Sequence, residues 1–198
     1  MCKEKLKSLP WEHMVTVTNR HSCPGDFMEQ IEKVCRYHPK AIILREKDLS
    51  EEEYEALAVK VLSLAREYGV SCRMHYFWEL AKRMGEREIH LPLWRLREMP
   101  EEEKQFFDVI GTSIHAPEEA REAKELGSHY VTAGHVYVTD CKKGLAPRGT
   151  GFLKAVCEEA EIPVYGIGGI GMDKEQIEEV LSCGAEAACI MSAMMKIS

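Results

Sequence analysis

No stretch of this sequence approaches the roughly 18 consecutive apolar residues of a membrane span. Residues 1–13 also lack the apolar segment of a secretory signal, which sets the expectation of a cytoplasmic protein without a membrane partner. There is no excess of basic residues. The net charge is −7, which argues against nucleic acid as the main partner but leaves room for a local basic patch. Such a patch suits a phosphorylated small molecule. Eight cysteines are present, at Cys2, Cys23, Cys35, Cys72, Cys141, Cys157, Cys183 and Cys189, and none has C-x-x-C spacing. Several lie in apolar segments, so they read as reduced core residues and not as a disulfide framework or zinc knuckle. Linkers and low-complexity tracts are missing too, so residues 1–198 read as one domain. With 45% apolar and 30% charged residues, the composition carries no disorder signature.

What is present is an alternation. Strand-like runs occur at "HMVTVTN" (13–19), "AIILRE" (41–46), "VSCRMH" (70–75) and "REIHLP" (87–92). Four more follow: "FDVIGTS" (107–113), "HYVTA" (129–133), "PVYGIG" (163–168) and "AACIMS" (187–192). Amphipathic segments lie between them. After the "HSCPGD" turn, Phe27, Met28, Ile31, Val34 and Cys35 share one helical face. Ser50 and Glu53 form a capping box for a long helix that Gly69 closes. Pro117 with Gly127, and Asp173 with Gly184, bracket two more helices. Eight such units predict the α/β class and a (β/α)8 TIM barrel. The chain stops six residues after Ser192, so the eighth helix is expected to be missing or very short. A second copy, in a homo-oligomer such as a dimer, is expected to cover that flank.

In such a barrel the active site lies at the carboxyl ends of the strands. Arg45, Glu46, Lys47, His75, His90, Ser113 and His115 fall there. So does the loop "GHVYVTDCKKG" (134–144), which combines a histidine with several anion-binding groups. Histidine titrates near neutrality, so His135 can both take and give a proton. His135 alone reads as a hydrogen-bonded structural histidine, and Lys142, Lys143 and Arg148 as a solvated charge run. The length of the loop favours function over both. "YGIGGIG" places Gly168 and Gly169 directly after strand seven, where backbone N–H groups can approach a phosphate. Met191 and Ser192 can add N–H groups from strand eight, because phosphate sites after strands seven and eight recur in these barrels. The nominal dinucleotide string Gly166, Gly168, Gly171 is discounted, since no βαβ unit follows it.

Taken in order, "LREKD" (44–48), "IGTSIHAPEEAREAKELGSHYV" (110–131), the 134–144 loop, "IPVYGIGGI" (162–170) and "GAEAACIMSAM" (184–194) resemble the thiamine phosphate synthase superfamily. Within it they resemble the aromatizing thiazole tautomerase (TenI-like) branch. A synthase of that superfamily carries Asn-Asp after strand three and Gly-Gln-x-Asp after strand four, whose aspartates hold magnesium. Here those positions read His75-Tyr76 and "HLPLWR" (90–95). The synthase loop after strand six begins Gly-Pro; here it begins Gly134-His135 and continues Thr139-Asp140-Cys141-Lys142.

The resemblance implies a thiazole tautomerase of thiamine biosynthesis with no cofactor and no metal. It makes His135 the catalytic acid and base. Gly168, Gly169, Met191 and Ser192 become phosphate ligands, and Arg45, Lys47, Ser113, His115, Thr139 and Lys142 substrate contacts. Three alternatives stay open: a thiamine phosphate synthase joining pyrimidine diphosphate to thiazole phosphate, a zinc hydrolase built on the four barrel-end histidines, and a noncatalytic regulatory binder. For His115, a structural bond to the next loop is an equal alternative.

Overall fold

Side chains on a β-strand alternate between two faces, and in this chain both faces of every strand are spoken for. A computed structural model describes residues 3–139, 142 and 144–197. Its strands are β1 (Met14–Val17), β2 (Ala41–Leu44), β3 (Cys72–His75), β4 (Glu88–Pro92), β5 (Val109–Ile114), β6 (Tyr130–Gly134), β7 (Val164–Ile167) and β8 (Ala187–Ile190). Each pairs in parallel with the next, and β8 pairs with β1 to close the barrel. All eight expected strands are present, with ends within two residues of the expected ones.

Around them lie α1 (Lys3–Lys7), α2 (Phe27–Cys35), α3 (Glu51–Glu67), α4 (Trp78–Met84), α5 (Leu93–Glu98), α6 (Glu101–Lys104), α7 (Glu118–Glu125), α8 (Gly149–Glu159) and α9 (Lys174–Ser182). Ser50 and Glu53 make the expected reciprocal cap of α3. Asp26 and Asp173 cap α2 and α9 through their side chains. Among the described residues no helix is long and apolar enough to cross a membrane.

The core divides as the alternation requires. Met14, Ile42, Leu44, Met74, Ile89 and Val131 pack outward against the helices. Val15, Val17, Ala41, Ile43, Ala187 and Cys189 fill the barrel with the rings of Tyr130 and Tyr165. Each buried Val, Leu or Ile side chain stabilises the fold by about 1.5–3 kcal/mol.

The flank expected to stand open is closed by the chain's own ends. The C-terminal segment is reduced to a 3-10 turn, Met194–Lys196, and Met194, Met195 and Ile197 are buried. Gln30 of α2 donates to the Met194 carbonyl at 2.8 Å. From the other terminus Leu6 and Leu9 enter the same core, and Lys5 pairs with Asp173 at the start of α9 at 3.7 Å. The argument for a second copy at this place therefore falls away. The sequence pattern did not show α1, because a five-residue helix carries too few positions to reveal a period.

One side of the barrel interior is polar. Arg73 and His75 of β3, His90 of β4, Ser113 of β5, and Tyr130 and Thr132 of β6 occupy inward positions, with His75 level with His90 and Ser113 level with Thr132. Gly111 makes room for this arrangement. A Cβ there would lie 2.0 Å from the Tyr130 ring. Burial, reinforced by His90 and by Arg45 and Lys47, holds His75 well below the ordinary imidazole range. Burial, with Arg73 and Arg45, pushes His90 down to about 3. Both rings are neutral at physiological pH.

Two outcomes are expected. Gly111→Ala should destabilise the fold by about 2–3 kcal/mol through overpacking against Tyr130, read as a lower denaturant midpoint. Below the unfolded imidazole value of 6.5 the unfolded chain takes up protons at positions 75 and 90 that the folded chain refuses. Stability should therefore fall as pH drops from 6.5 towards 4, by up to about 1.4 kcal/mol per pH unit for each histidine. Urea titrations at pH 7 and pH 5 check this, and His90→Gln should flatten the dependence.

Candidate active site

The carboxyl ends of the strands open into a cavity of about 690 Å³. The residues to which the resemblance gave a site role all line it. His135 is there with Gly168, Gly169, Met191 and Ser192, and so are Arg45, Lys47, Ser113, His115, Thr139 and Lys142. Asp140, Cys141 and Lys143 of the strand-six loop lie outside the described residues.

His135 follows β6 directly and is only 5% exposed. Among the described residues neither ring nitrogen has a hydrogen-bond partner. A buried polar group without a partner is costly, so an imidazole held this way is poised for a ligand. Its backbone is clamped on two sides. The Val136 N–H donates to the Ile167 carbonyl at 3.0 Å, and the Arg148 N–H donates to the His135 carbonyl at 3.0 Å.

The glycine turn after β7 has a structural duty. Gly168 and Gly169 take left-handed φ of 104° and 72°. A Cβ on Gly168 would lie 2.3 Å from the His135 Cβ, and one on Gly169 would lie 2.4 Å from the Val138 carbonyl oxygen. The two glycines thus let the His135 loop lie against the turn. Gly171 is used differently, since its N–H donates to Gln176 Oε1 at 2.7 Å. That N–H is committed within the protein.

Beside His135 stands the polar wall of the barrel. His90 contacts the Ser113 Oγ through Nε2 at 2.9 Å and the Tyr130 hydroxyl through Nδ1 at 2.8 Å. Thr132 Oγ1 donates to Ser113 Oγ at 3.0 Å. His75 stacks on His90, ring centres 6.0 Å apart. Tyr130 and Thr132 were not singled out from the sequence. The alternation in "HYVTA" puts them two residues apart on the inward face, which is the pattern that finds them. His115 is exposed, and its Nδ1 donates to the Gly134 carbonyl at 3.3 Å. That is the structural bond weighed against a substrate role.

The rim is cationic. Partial burial and the neighbouring Arg45 and Lys142 hold Lys47 below the usual lysine range. Partial burial and Arg148 do the same to Lys142. Burial is the larger cause for both lysines, and the like charges beside each add to it, a repulsion that an anion would relieve. Glu46 does not offset them from within the cavity. It is buried and accepts from Thr18 Oγ1 at 2.7 Å, the Arg20 N–H at 3.1 Å and the Arg20 guanidinium at 3.2 Å. Its role is to brace the ends of β1 and β2.

A magnesium site needs hard oxygen ligands, and the residues at the ends of β3 and β4 do not supply them. His75 and His90 are neutral imidazoles, with both nitrogens of His90 engaged. Tyr76 turns its ring against Phe77 and Trp94. Leu91, Pro92 and Leu93 follow His90. The four barrel-end histidines do not form a zinc site either. Among the described residues no group of three or more His, Cys, Asp or Glu is arranged to hold a metal ion.

With this geometry in hand, relatives are informative. The family model described as thiamine monophosphate synthase (TMP-TENI) matches residues 14–194. A thiamine-phosphate synthase of Thermus thermophilus is 33% identical over 170 residues, covering 85% of this chain and 81% of its own. One from Syntrophomonas wolfei is 32% identical over 190 residues, covering 92% and 88%. Among solved structures, the thiamine phosphate pyrophosphorylase of Pyrococcus furiosus superposes with a TM-score of 0.78 at 27% identity, covering 98% of this chain and 89% of that one. A deoxyribose phosphate aldolase from Aeropyrum pernix, at 14% identity and a TM-score of 0.67, shares the barrel fold. The chain belongs to the thiamine monophosphate synthase family, and to its enzymes of thiamine biosynthesis.

Proposed function

We propose that this chain isomerises a phosphorylated thiazole by proton transfer, as an aromatizing thiazole tautomerase, with His135 as acid and base. The observation that carries the reading is the buried, unpartnered His135 ring beside the glycine turn. The substrate class is a thiazole carboxylate phosphate with an exocyclic double bond. A proton leaves the ring carbon that bears the carboxylate and goes to a His135 ring nitrogen. The electron pair shifts through the ring, a proton reaches the exocyclic carbon, and the ring becomes aromatic. Atoms and charge balance without a redox partner. The Gly168–Gly169 turn, with Met191 and Ser192, holds the phosphate, and Arg45, Lys47 and Lys142 attract the anion. The imidazoles at the ends of β3 and β4 fit this chemistry better than a step that needs bound magnesium.

The second reading is a thiamine-phosphate synthase, and the names of the relatives favour it. Both readings place a thiazole phosphate in the cavity, and they differ in what happens to it.

Two parallel assays separate them. The unaromatised thiazole phosphate is followed by ultraviolet absorbance or NMR, and pyrimidine diphosphate plus thiazole phosphate is followed with added Mg²⁺. The native protein should accelerate the first reaction and leave the second unchanged. His135→Asn should slow the first by about 10²–10⁴-fold, the usual contribution of one positioned acid–base group. Magnesium-dependent joining without tautomer conversion would establish the synthase instead, and neither activity would leave a regulatory binder. Gly168→Ala, whose Cβ collides with His135, should also lose tautomer conversion while the protein remains folded by circular dichroism.

A further inference from the structure

We propose that Tyr130 is a positioning residue: its hydroxyl fixes His90 as the Nε2–H tautomer, and His90 thereby fixes Ser113 as a hydrogen-bond donor facing the cavity. The inference rests on the reading above only in taking a thiazole phosphate as the ligand, and it holds for either chemistry on that ligand.

The argument is a count of protons. Three contacts link the groups: Tyr130 hydroxyl to His90 Nδ1 at 2.8 Å, His90 Nε2 to Ser113 Oγ at 2.9 Å, and Thr132 Oγ1 to Ser113 Oγ at 3.0 Å. A neutral imidazole carries one N–H and one acceptor nitrogen. If Nδ1 held the proton, the Tyr130 hydroxyl would have to accept there and send its own proton elsewhere. What packs on Tyr130 discourages this. The Arg73 guanidinium, which has donors only, lies 4.3 Å from the centre of its ring, and the Tyr165 ring stacks at 4.5 Å. The consistent arrangement has the phenol donating to Nδ1 and Nε2–H donating to Ser113. Ser113 then accepts from both His90 and Thr132. Its own proton is left to point into the cavity that it lines.

The chain of bonds is built into the barrel. Tyr130 and Thr132 project inward from β6, and the missing side chain of Gly111 gives the Tyr130 ring its place. Arg73 and burial also keep His90 from taking a second proton. The fixed donor suits an acceptor on the reacting part of the ligand, either the ring nitrogen or a carboxylate oxygen.

Two measurements test this on the whole protein. Long-range ¹H–¹⁵N NMR of histidine-labelled protein should show His90 protonated at Nε2 and bare at Nδ1, and Tyr130→Phe should disturb that signature while keeping the ring. Calorimetry with aromatised thiazole phosphate, with and without its carboxylate, should show Tyr130→Phe and Ser113→Ala each binding roughly five- to tenfold more weakly, the scale of one hydrogen bond. The double variant should bind no more weakly than Ser113→Ala, because Tyr130 acts through Ser113. A loss confined to the carboxylated ligand supports the proposal with the carboxylate as acceptor, and an equal loss for both supports it with the ring nitrogen. An Nδ1–H signal for His90 in the native protein, additive losses, or no loss would overturn it. If the native protein binds neither compound, the ligand assignment fails, while the NMR signature still decides the His90 tautomer.

Discussion

The site depends on backbone lying against backbone where side chains are missing. Gly134, Gly168 and Gly169 are the three positions at which the loop after β6 and the turn after β7 share space. A Cβ at Gly134 would lie 2.2 Å from the Ile167 carbonyl oxygen. With Gly168 against His135 and Gly169 against Val138, these contacts leave the loop one path out of the barrel. Two further bonds hold that path: Tyr137 N–H to the Gly168 carbonyl at 2.9 Å, and the Tyr137 hydroxyl to Glu179 Oε2 at 2.6 Å. His135 is therefore placed by the frame of β6 and β7, and the same contacts put the candidate phosphate turn next to it. In the proposed reaction, an acid–base group and an anion site on adjacent strands of a rigid sheet keep a constant separation, which orientation-dependent catalysis requires.

Charge is arranged in two tiers. The wall below the cavity consists of neutral groups: His90, Ser113, Thr132 and Tyr130 are hydrogen-bonded to one another, and His75 stacks on His90. The rim above carries Arg45, Lys47 and Lys142. The tiers depend on each other, because the rim cations are among the reasons that His75 stays uncharged. A neutral floor under a positive rim draws an anionic ligand in by its charged end. In the proposed function the ring then meets neutral groups, the hydrogen-bonding wall among apolar side chains such as Val17, Ile43 and Ile167. In a low-dielectric interior a fixed donor counts for more than it does in water, so a few neutral contacts can orient the ring.

Much of this was legible in the sequence, for definable reasons. Parallel strands buried on both faces read as short apolar runs, so all eight were visible. The capping box at Ser50 and Glu53 marked α3 because it is a local motif. His135 and the glycine turn were visible because unusual residue types follow strand ends. Three things were not legible. The fit of α1 and the C-terminal turn over the open flank comes from contacts between the two ends of the chain. The structural duty of Gly168 and Gly169, making room for the His135 loop, is invisible until the loop is folded beside them. The polar wall was only half visible: His75 and His90 announce themselves, while Tyr130 and Thr132 look like ordinary strand residues until register brings them level with Gly111 and Ser113.

A family is defined by the scaffold its members share, and chemistry is set by the few side chains at the strand ends. This chain shares the barrel with relatives named as synthases, and the residues at the ends of β3 and β4, His75-Tyr76 and 90–95, include no carboxylate. The consequence reaches beyond those positions. A bound divalent ion would have to be balanced by acidic ligands and would repel the rim cations. A stacked pair of neutral imidazoles needs no such balance and tolerates Arg45 and Lys47 close by. It also needs its own support from below, and Arg73, Tyr130 and Gly111 supply it from inside the barrel. Restoring one carboxylate at the end of β3 or β4 would therefore not recover a metal site. It would leave a buried anion beside rings already committed to each other, with Glu46 held elsewhere by Thr18 and Arg20.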